Sequence, residues 1–355
     1  MGIVVIRADA SLQLGTGHVM RCLTLATQLW QYRAEIVFVC LDNPYNLSEI
    51  IEQQGFKVKI IQNTLFERDK VDTDASQTIQ ILQQEYDGDI DLLIIDHYHL
   101  DIEWERKLRP YVRKMMVIDD LANRRHDCDI LLDQNLYHHM EKRYEQLVPK
   151  SCIQLLGPKY ALLREEFVAA RGTIRRSFDQ ISRGLIFFGG SDPTNETTKV
   201  LNALIHTNEC SELSLDVVVG MANPNKDQVR KLCKQNHMNY YCQIDFMSEL
   251  MVHADFMIGA GGTTTWERLY LELPSITIII AENQREMTEV IAEHGATYSL
   301  GWHSQVKEEM IQDAFKLFIN SPDRLAEMSK RCALLMGYES GSGERHGIGW
   351  SFAFD

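Results

Sequence analysis

The chain has 355 residues, 45% hydrophobic and 24% charged, an ordinary globular composition with length enough for two domains, each with its own core. Its 50 acidic residues outnumber 36 basic ones, for a net charge of −14, which argues against a nucleic-acid partner or an anionic-membrane surface; an anionic ligand must be met locally, by backbone N–H groups and helix starts. No apolar run reaches the ~20 residues of a membrane span, the N-terminus enters a strand-like pattern at once, and eight cysteines form no CxxC pair, so the expectation is a cytoplasmic protein with packed, reduced thiols.

In chain order, short β-branched runs alternate with amphipathic helical stretches: IVVI (3–6), EIVFVC (35–40), KVKII (57–61), DLLII (91–95), MMVI (115–118) and DILLD (129–133). Runs without strict alternation predict a parallel sheet covered on both faces. A second series follows, GLIFF (184–188), LDVVV (215–219), YYCQI (240–244), DFMI (255–258) and SITIII (275–280). The charged stretch from Leu162 to Ser177 between them reads as a linker. The fold class is therefore α/β, with two Rossmann-like doubly wound domains at 1–172 and 181–330 facing across a cleft, and a tail at 331–355 that returns to the first domain.

Ligands of open parallel sheets sit beyond the carboxyl ends of the strands. The residues that follow the runs are polar: Arg7 and Asp9, then Asp96-His97-Tyr98, Asp119-Asp120, and Gln134-Asn135. After the first run, Gly15-Thr16-Gly17 leads into a helix with His18 and Arg21 in its first turns. Such a loop lets N–H groups approach an anion, but Met20 stands where a dinucleotide fingerprint has its third glycine, and no GK[ST] follows. Arg21 can steady a phosphate or pair with an acidic neighbour.

The second series ends in a similar device. Gly259-Ala260-Gly261-Gly262 runs through Thr263, Thr264 and Thr265 into an amphipathic helix, a second anion-binding start with hydroxyls added. Glu267, one turn in, can accept two hydrogen bonds from a ribose or stand as a solvated first-turn carboxylate. Ser191-Asp192-Pro193 after Gly189-Gly190 reads as a sharp turn into a helix or as a sugar contact. Asp119-Asp120 lines the site or caps a helix. His97 and His99 read as polar loop residues, and Asp127-Cys128-Asp129 as a turn into a strand rather than a metal site.

Two glycine-rich helix starts, one with a histidine and one with threonines and a glutamate, suit a sugar nucleotide. The motifs RADAS, LQLGTGHVMRCLTLA, DHYHLD, VIDDLANRRHDCDILLDQN, LGPKYALLREEF, GGSDPTNET, IGAGGTTTWERLYLELPSI and AENQ together resemble the UDP-2,4-diacetamido-2,4,6-trideoxy-β-L-altropyranose hydrolases of pseudaminic acid biosynthesis. These are relatives of the glycosyltransferase-B enzymes. The family's closing DGxGAxR-like pattern stands here as Glu339 to Arg345, followed by the tail GIGWSFAFD.

The resemblance implies an inverting, metal-independent hydrolysis with no cofactor, carried out by a monomer. In it His18 is the general base for water attack at the anomeric carbon, with Tyr98 and Asn283 beside it. Thr263 to Thr265 and Gly262 hold the diphosphate, Glu267 the ribose, and the main chain at Met247 the uracil. Gln284 and the Gly15 loop with Thr16 and Gly17 line the sugar; Asp9, Arg21, Ser191 and Asp192 are further candidate substrate contacts read from their places after the strand-like runs. Histidine suits a base near neutral pH, and a diphosphate leaves without much protonation. A glycosyltransferase using the same donor, and a UDP-sugar-binding protein without catalysis, are the alternatives.

Overall fold

A computed structural model describes residues 2–11, 17–43, 46–62, 70–86, 90–340 and 349–353. The chain divides into two compact units: Met1–Asn135, His139–Leu162 and Gly347–Asp355 form the first, and Leu136–His138 with Leu163–His346 the second.

The first unit contains β1 (Ile3–Ala8), α1 (Gly17–Trp30), β2 (Glu35–Leu41), α2 (Ser48–Gln53), β3 (Lys57–Ile61), α3 (Lys70–Tyr86), β4 (Ile90–Asp96), α4 (Ile102–Leu108), β5 (Val112–Ile118), β6 (Ile130–Asp133) and β7 (Ile153–Leu156). Its sheet is parallel throughout, in the order β3-β2-β1-β4-β5-β6-β7. Alternate residues of each strand feed opposite faces. Val4, Ile6 and Phe38 pack with Val19, Cys22 and Leu25 of α1, while Val5, Val39 and Leu93 pack with Ala75 and Leu82 of α3 and Trp104 of α4. Both faces are covered, which is why the strands read as unbroken apolar runs.

The second unit contains α5 (Glu165–Ala170), β8 (Arg183–Phe187), α6 (Glu196–Leu204), β9 (Ser214–Val219), α7 (Lys226–Gln235), β10 (Asn239–Cys242), α8 (Met247–His253), β11 (Phe256–Ala260), α9 (Thr264–Tyr270), β12 (Ser275–Ile279), α10 (Arg285–Glu293), β13 (Tyr298–Trp302), α11 (Glu308–Ile319) and α12 (Pro322–Leu335). Its strand order, β10-β9-β8-β11-β12-β13, repeats the winding of the first sheet. In each sheet the order in which strands are laid down reverses between its first and fourth strands, β1 and β4 or β8 and β11, and ligands of doubly wound folds sit at this switch point.

Three features depart from the sequence reading. β7 and β13 went unpredicted; both are edge strands, half exposed, so neither needs a continuous apolar run. The first unit closes at Leu162, not 172, because Arg171 turns to the second unit, where it packs against the rings of Tyr270 and Tyr338 and reaches Glu272. Residues 331–335 of the proposed tail belong to α12 of the second unit, and only the last stretch lies in the first. There Trp350 is buried against α1, its indole N–H donating to Gln28 Oε1 at 2.9 Å and its backbone N–H to the Tyr32 hydroxyl at 3.0 Å.

The first unit also buries a carboxyl where β6 ends. Asp133 accepts from Asn135 N at 3.1 Å and from the Tyr144 hydroxyl at 3.1 Å, a hydroxyl that also lies 3.0 Å from Asp119 Oδ2. Burial pushes the Asp133 carboxyl up to about 7, with the Asp120 charge adding to the rise against the Asn135 bond and the more distant Arg143. A folded value above the unfolded one means that this group's stabilisation is complete below the ordinary carboxylate range and is lost as pH rises through about 7. Asp133→Asn removes that linkage. Thermal melts from about pH 5 to about pH 7 should therefore show the variant gaining on the wild type as pH rises; a constant difference would mean that Asp133 is ionised across the range.

Candidate active site

At the switch point of the first sheet, α1 begins beside the end of β4. His18, in the first turn of α1, sits with Nδ1 2.5 Å from Oδ1 of Asp96, the last residue of β4. Arg21, one turn on, holds the same carboxylate from the side, Nε to Oδ2 at 2.5 Å and Nη2 to Oδ1 at 2.6 Å. The Cys22 thiol lies 3.5 Å from Oδ2. Asp96 is fully buried. Burial alone would raise its carboxyl, but Arg21 first and His18 second hold it well below the usual carboxylate range.

An ionised carboxylate only accepts, so the imidazole must donate from Nδ1, and the neutral ring carries its lone pair on Nε2. The Tyr98 ring meets the imidazole edge-on, with centroids 4.4 Å apart. A histidine fixed in one tautomer by a buried aspartate is the arrangement of a general base.

The remaining first-unit candidates divide. Asp9 is buried and held by Arg7 through two bonds of 2.6 and 2.8 Å, by Leu41 N at 2.7 Å, and by His97 Nε2 at 3.3 Å. Its oxygens are engaged in joining β1, β2 and the loop after β4, and not turned to a ligand. Arg21 is the partner of acidic neighbours, Asp96 and also Asp120, whose Oδ2 lies 3.0 Å from Nη1. Gly17 opens α1 with open space at its Cα, while Gly15 and Thr16 lie outside the described residues.

In the second unit the glycine segment after β11 serves close packing and leaves one open edge. A Cβ on Gly259 would lie 2.4 Å from Phe187 O, and one on Gly261 2.1 Å from Thr288 Oγ1. Gly262 has no such neighbour; the Gln284 amide nitrogen lies 3.7 Å from the same point. Thr263 is exposed, Thr264 half-buried and Thr265 buried. The turn they form leaves N–H groups without intrahelical partners. Beneath it, Arg268 is buried with no carboxylate partner among the described residues, Nη1 at 3.5 Å from Ala260 O and Nη2 at 3.5 Å from Thr265 Oγ1. Burial lowers this guanidinium to about 10.

Glu267 is almost fully buried, and Arg164 donates to its Oε1 at 2.7 Å. Burial raises its carboxyl and Arg164 pulls it back. Met247 opens α8, where Ser248 N meets Glu166 Oε2 at 3.4 Å. Asn283 is exposed on the turn before α10, and the Gln284 side-chain Oε1 accepts from Ile280 N at 3.3 Å. Ser191 is exposed. Asp192 is buried and accepts from Glu196 N and Thr197 N, both at 2.9 Å, so its carboxylate closes the start of α6 and is not free for a sugar.

Gly262, Thr263 to Thr265, Glu267 and Gln284 thus gather at one sheet end of the second unit, while His18 and Tyr98 gather with Arg21 in the first. Sequence reasoning left three groups without a role: Asp96 as the partner of His18, Arg164 as the partner of Glu267, and Arg268. Asp96 had a signal, since it ends the strand beside β1; the two arginines had none. The other metal readings also meet ordinary partners, with Arg109 pairing Asp129 at 2.6 Å and His97 Nδ1 accepting from His99 N at 3.1 Å. Among the described residues no cluster of three or more His, Cys, Asp or Glu side chains could hold a metal, and no helix is long and apolar enough to cross a membrane.

Residues 185–339 match the glycosyltransferase family 28 C-terminal domain. The chain is 28% identical over 290 residues to the uncharacterized protein MJ1062 of Methanocaldococcus jannaschii, covering 80% of this chain but only 57% of that relative's length. It is also 28% identical over 296 residues to the UDP-2,4-diacetamido-2,4,6-trideoxy-beta-L-altropyranose hydrolase of Campylobacter jejuni, covering 82% of this chain and 97% of that enzyme. Among solved structures, MurG of Acinetobacter baumannii superposes with a TM-score of 0.65 at 14% identity, covering 93% of this chain and 94% of that one. With two Rossmann-like units and these likenesses, the chain has a glycosyltransferase-B-like fold and resembles the UDP-2,4-diacetamido-2,4,6-trideoxy-β-L-altropyranose hydrolases.

Proposed function

We propose that the chain hydrolyses a UDP-linked 2,4-diacetamido-2,4,6-trideoxy hexose to UDP and the free sugar, as the Campylobacter relative is named for doing. The observation that carries this reading is the His18–Asp96 pair, 2.5 Å apart and buried at the switch point of the first sheet. A protein that only holds its ligand has no use for an imidazole fixed in one tautomer.

In this reading His18 Nε2 takes a proton from water as the water oxygen bonds to the anomeric carbon. The bond from that carbon to the diphosphate oxygen breaks, and UDP leaves with the electron pair. Attack opposite the leaving group inverts the centre, and His18 then returns its proton to solvent. Tyr98 and Asn283 position the sugar, with Ser191 and Gln284 as further contacts. Gly262 and Thr263 to Thr265 meet the diphosphate with N–H and hydroxyl donors. The buried Arg268 adds positive charge beneath them. Glu267 accepts from the ribose through the oxygen that Arg164 leaves, and the main chain at Met247 meets the uracil.

A second reading draws on the match of residues 185–339 to a glycosyltransferase domain: the same donor contacts would serve a transferase, with an acceptor hydroxyl in place of water. One experiment separates the two. The purified chain is incubated with the UDP-sugar, without acceptor, in oxygen-18 water. Steady UDP release with label in the sugar is expected; release only after an acceptor is added would support the transferase, and label in UDP would mean attack at phosphorus.

Two substitutions probe the assigned roles. His18→Ala should lower kcat by about 10²–10⁴-fold while KM changes far less, and undiminished turnover would remove the base. For Glu267→Ala, steady-state kinetics should show KM rising with kcat little altered; a change in kcat alone would take the ribose contact away.

A further inference from the structure

The motif VIDDLANR ends β5 in two carboxylates, Asp119 and Asp120, for which the proposed reaction has no use. Asp119 is committed to the fold, pairing Arg124 Nη1 at 2.7 Å and accepting from Ala122 N at 2.8 Å. Asp120 faces the other way, into the His18 cluster, where its Oδ2 takes Arg21 Nη1 at 3.0 Å. We propose that Asp120 is a positioning residue for His18, acting through Arg21 and Asp96. This rests on His18 being the base.

The geometry is a chain of shared atoms. Asp96 Oδ1 receives both His18 Nδ1 and Arg21 Nη2, so the carboxylate cannot rotate to follow the guanidinium without releasing the imidazole. Asp96 grips Arg21 only along one edge, through Nε and Nη2. Asp120 takes the remaining terminal nitrogen, and two acceptors on different edges fix the plane of a rigid fork. Arg21 and Asp96 are buried and Asp120 nearly so, which leaves little water to replace a lost partner.

Charge points the same way. With a neutral imidazole, Asp96, Asp120 and Arg21 sum to one negative charge; once His18 takes a proton, the four groups are neutral together. Without Asp120, the Arg21 cation would balance Asp96 alone and oppose the imidazolium that forms. Asp119 has a cation of its own in Arg124, and Arg143 stands beside both Asp133, at 3.6 Å, and the Asp120 carbonyl, at 3.0 Å. Held by Asp96 and Asp120 together, Arg21 is part of the catalytic support in this reading instead of a phosphate ligand.

The test uses the full chain labelled with nitrogen-15 at histidine, with the His18 signal assigned by its loss in His18→Ala. In the wild type, long-range proton–nitrogen spectra should show His18 protonated at Nδ1. Asp120→Asn should mix the tautomers and lower kcat about 10–100-fold, the range for lost outer partners, with KM and UDP affinity unchanged. Arg21→Lys keeps the charge but cannot span both carboxylates, and should give the same pair of effects; it decides the matter if Asp120→Asn does not fold by thermal melt. An unaltered His18 signal, retained kcat, or a loss carried by KM would overturn the proposal, the last by returning Arg21 to the substrate. The spectra stand apart from turnover: if His18→Ala stays active, the hydrolase reading fails while the tautomer still reports whether Asp120 orders the ring.

Discussion

The bond between His18 Nδ1 and the buried carboxylate of Asp96 is the constraint around which the first unit is arranged. It draws on four separate pieces of chain: β1 leads into α1, β4 delivers Asp96, the loop after β4 supplies Tyr98, and β5 supplies Asp120 through Arg21. A buried ion pair is costly unless its lone pairs are filled. Here a thiol, a guanidinium and an imidazole fill them, so the polar cluster is self-consistent inside an otherwise apolar sheet edge.

The second unit repeats the winding but uses the switch point differently. Where the first sheet places ionised side chains there, the second places glycines, because backbone must approach backbone. Gly220 would drive a Cβ to 2.2 Å from Gly190 O, and Gly259 meets Phe187 O in the same way. Tight joins of this kind bring β8, β9 and β11 to a common edge and leave the turn at Gly262 as the open part of it. One architecture therefore carries two settings, a histidine held by a buried carboxylate in one unit and a glycine-threonine turn in the other.

Much of this was legible from residue order. The five-residue run KVKII coincides with β3 at one sheet edge, and most of the other apolar runs find central strands within a few residues, because central strands must be apolar on both faces. Edge strands carry no such demand: Ile153 of β7 is exposed and β13 is half-buried along its length, so both escaped notice. His18 and the Gly262 to Thr265 turn stood out because special backbone and a lone histidine mark themselves. Partners were harder. Asp96 and His18 are 78 residues apart, and among several acidic strand ends only the place of β4 beside β1 singles this one out. Asp192 misled for a related reason, since a capping carboxylate and a ligand-binding one share the same sequence context after Gly-Gly.

That capping carboxylate has an electrostatic consequence. Asp192 already occupies the N–H groups that open α6, so of the two glycine turns flanking the β8–β11 switch point, one has its helix-start donors taken by a carboxylate and the other keeps an open edge at Gly262. A dianion arriving at this sheet would be repelled from the first and left with the second. The placing of donors along the edge, more than its shape, would set where an anion settles on it.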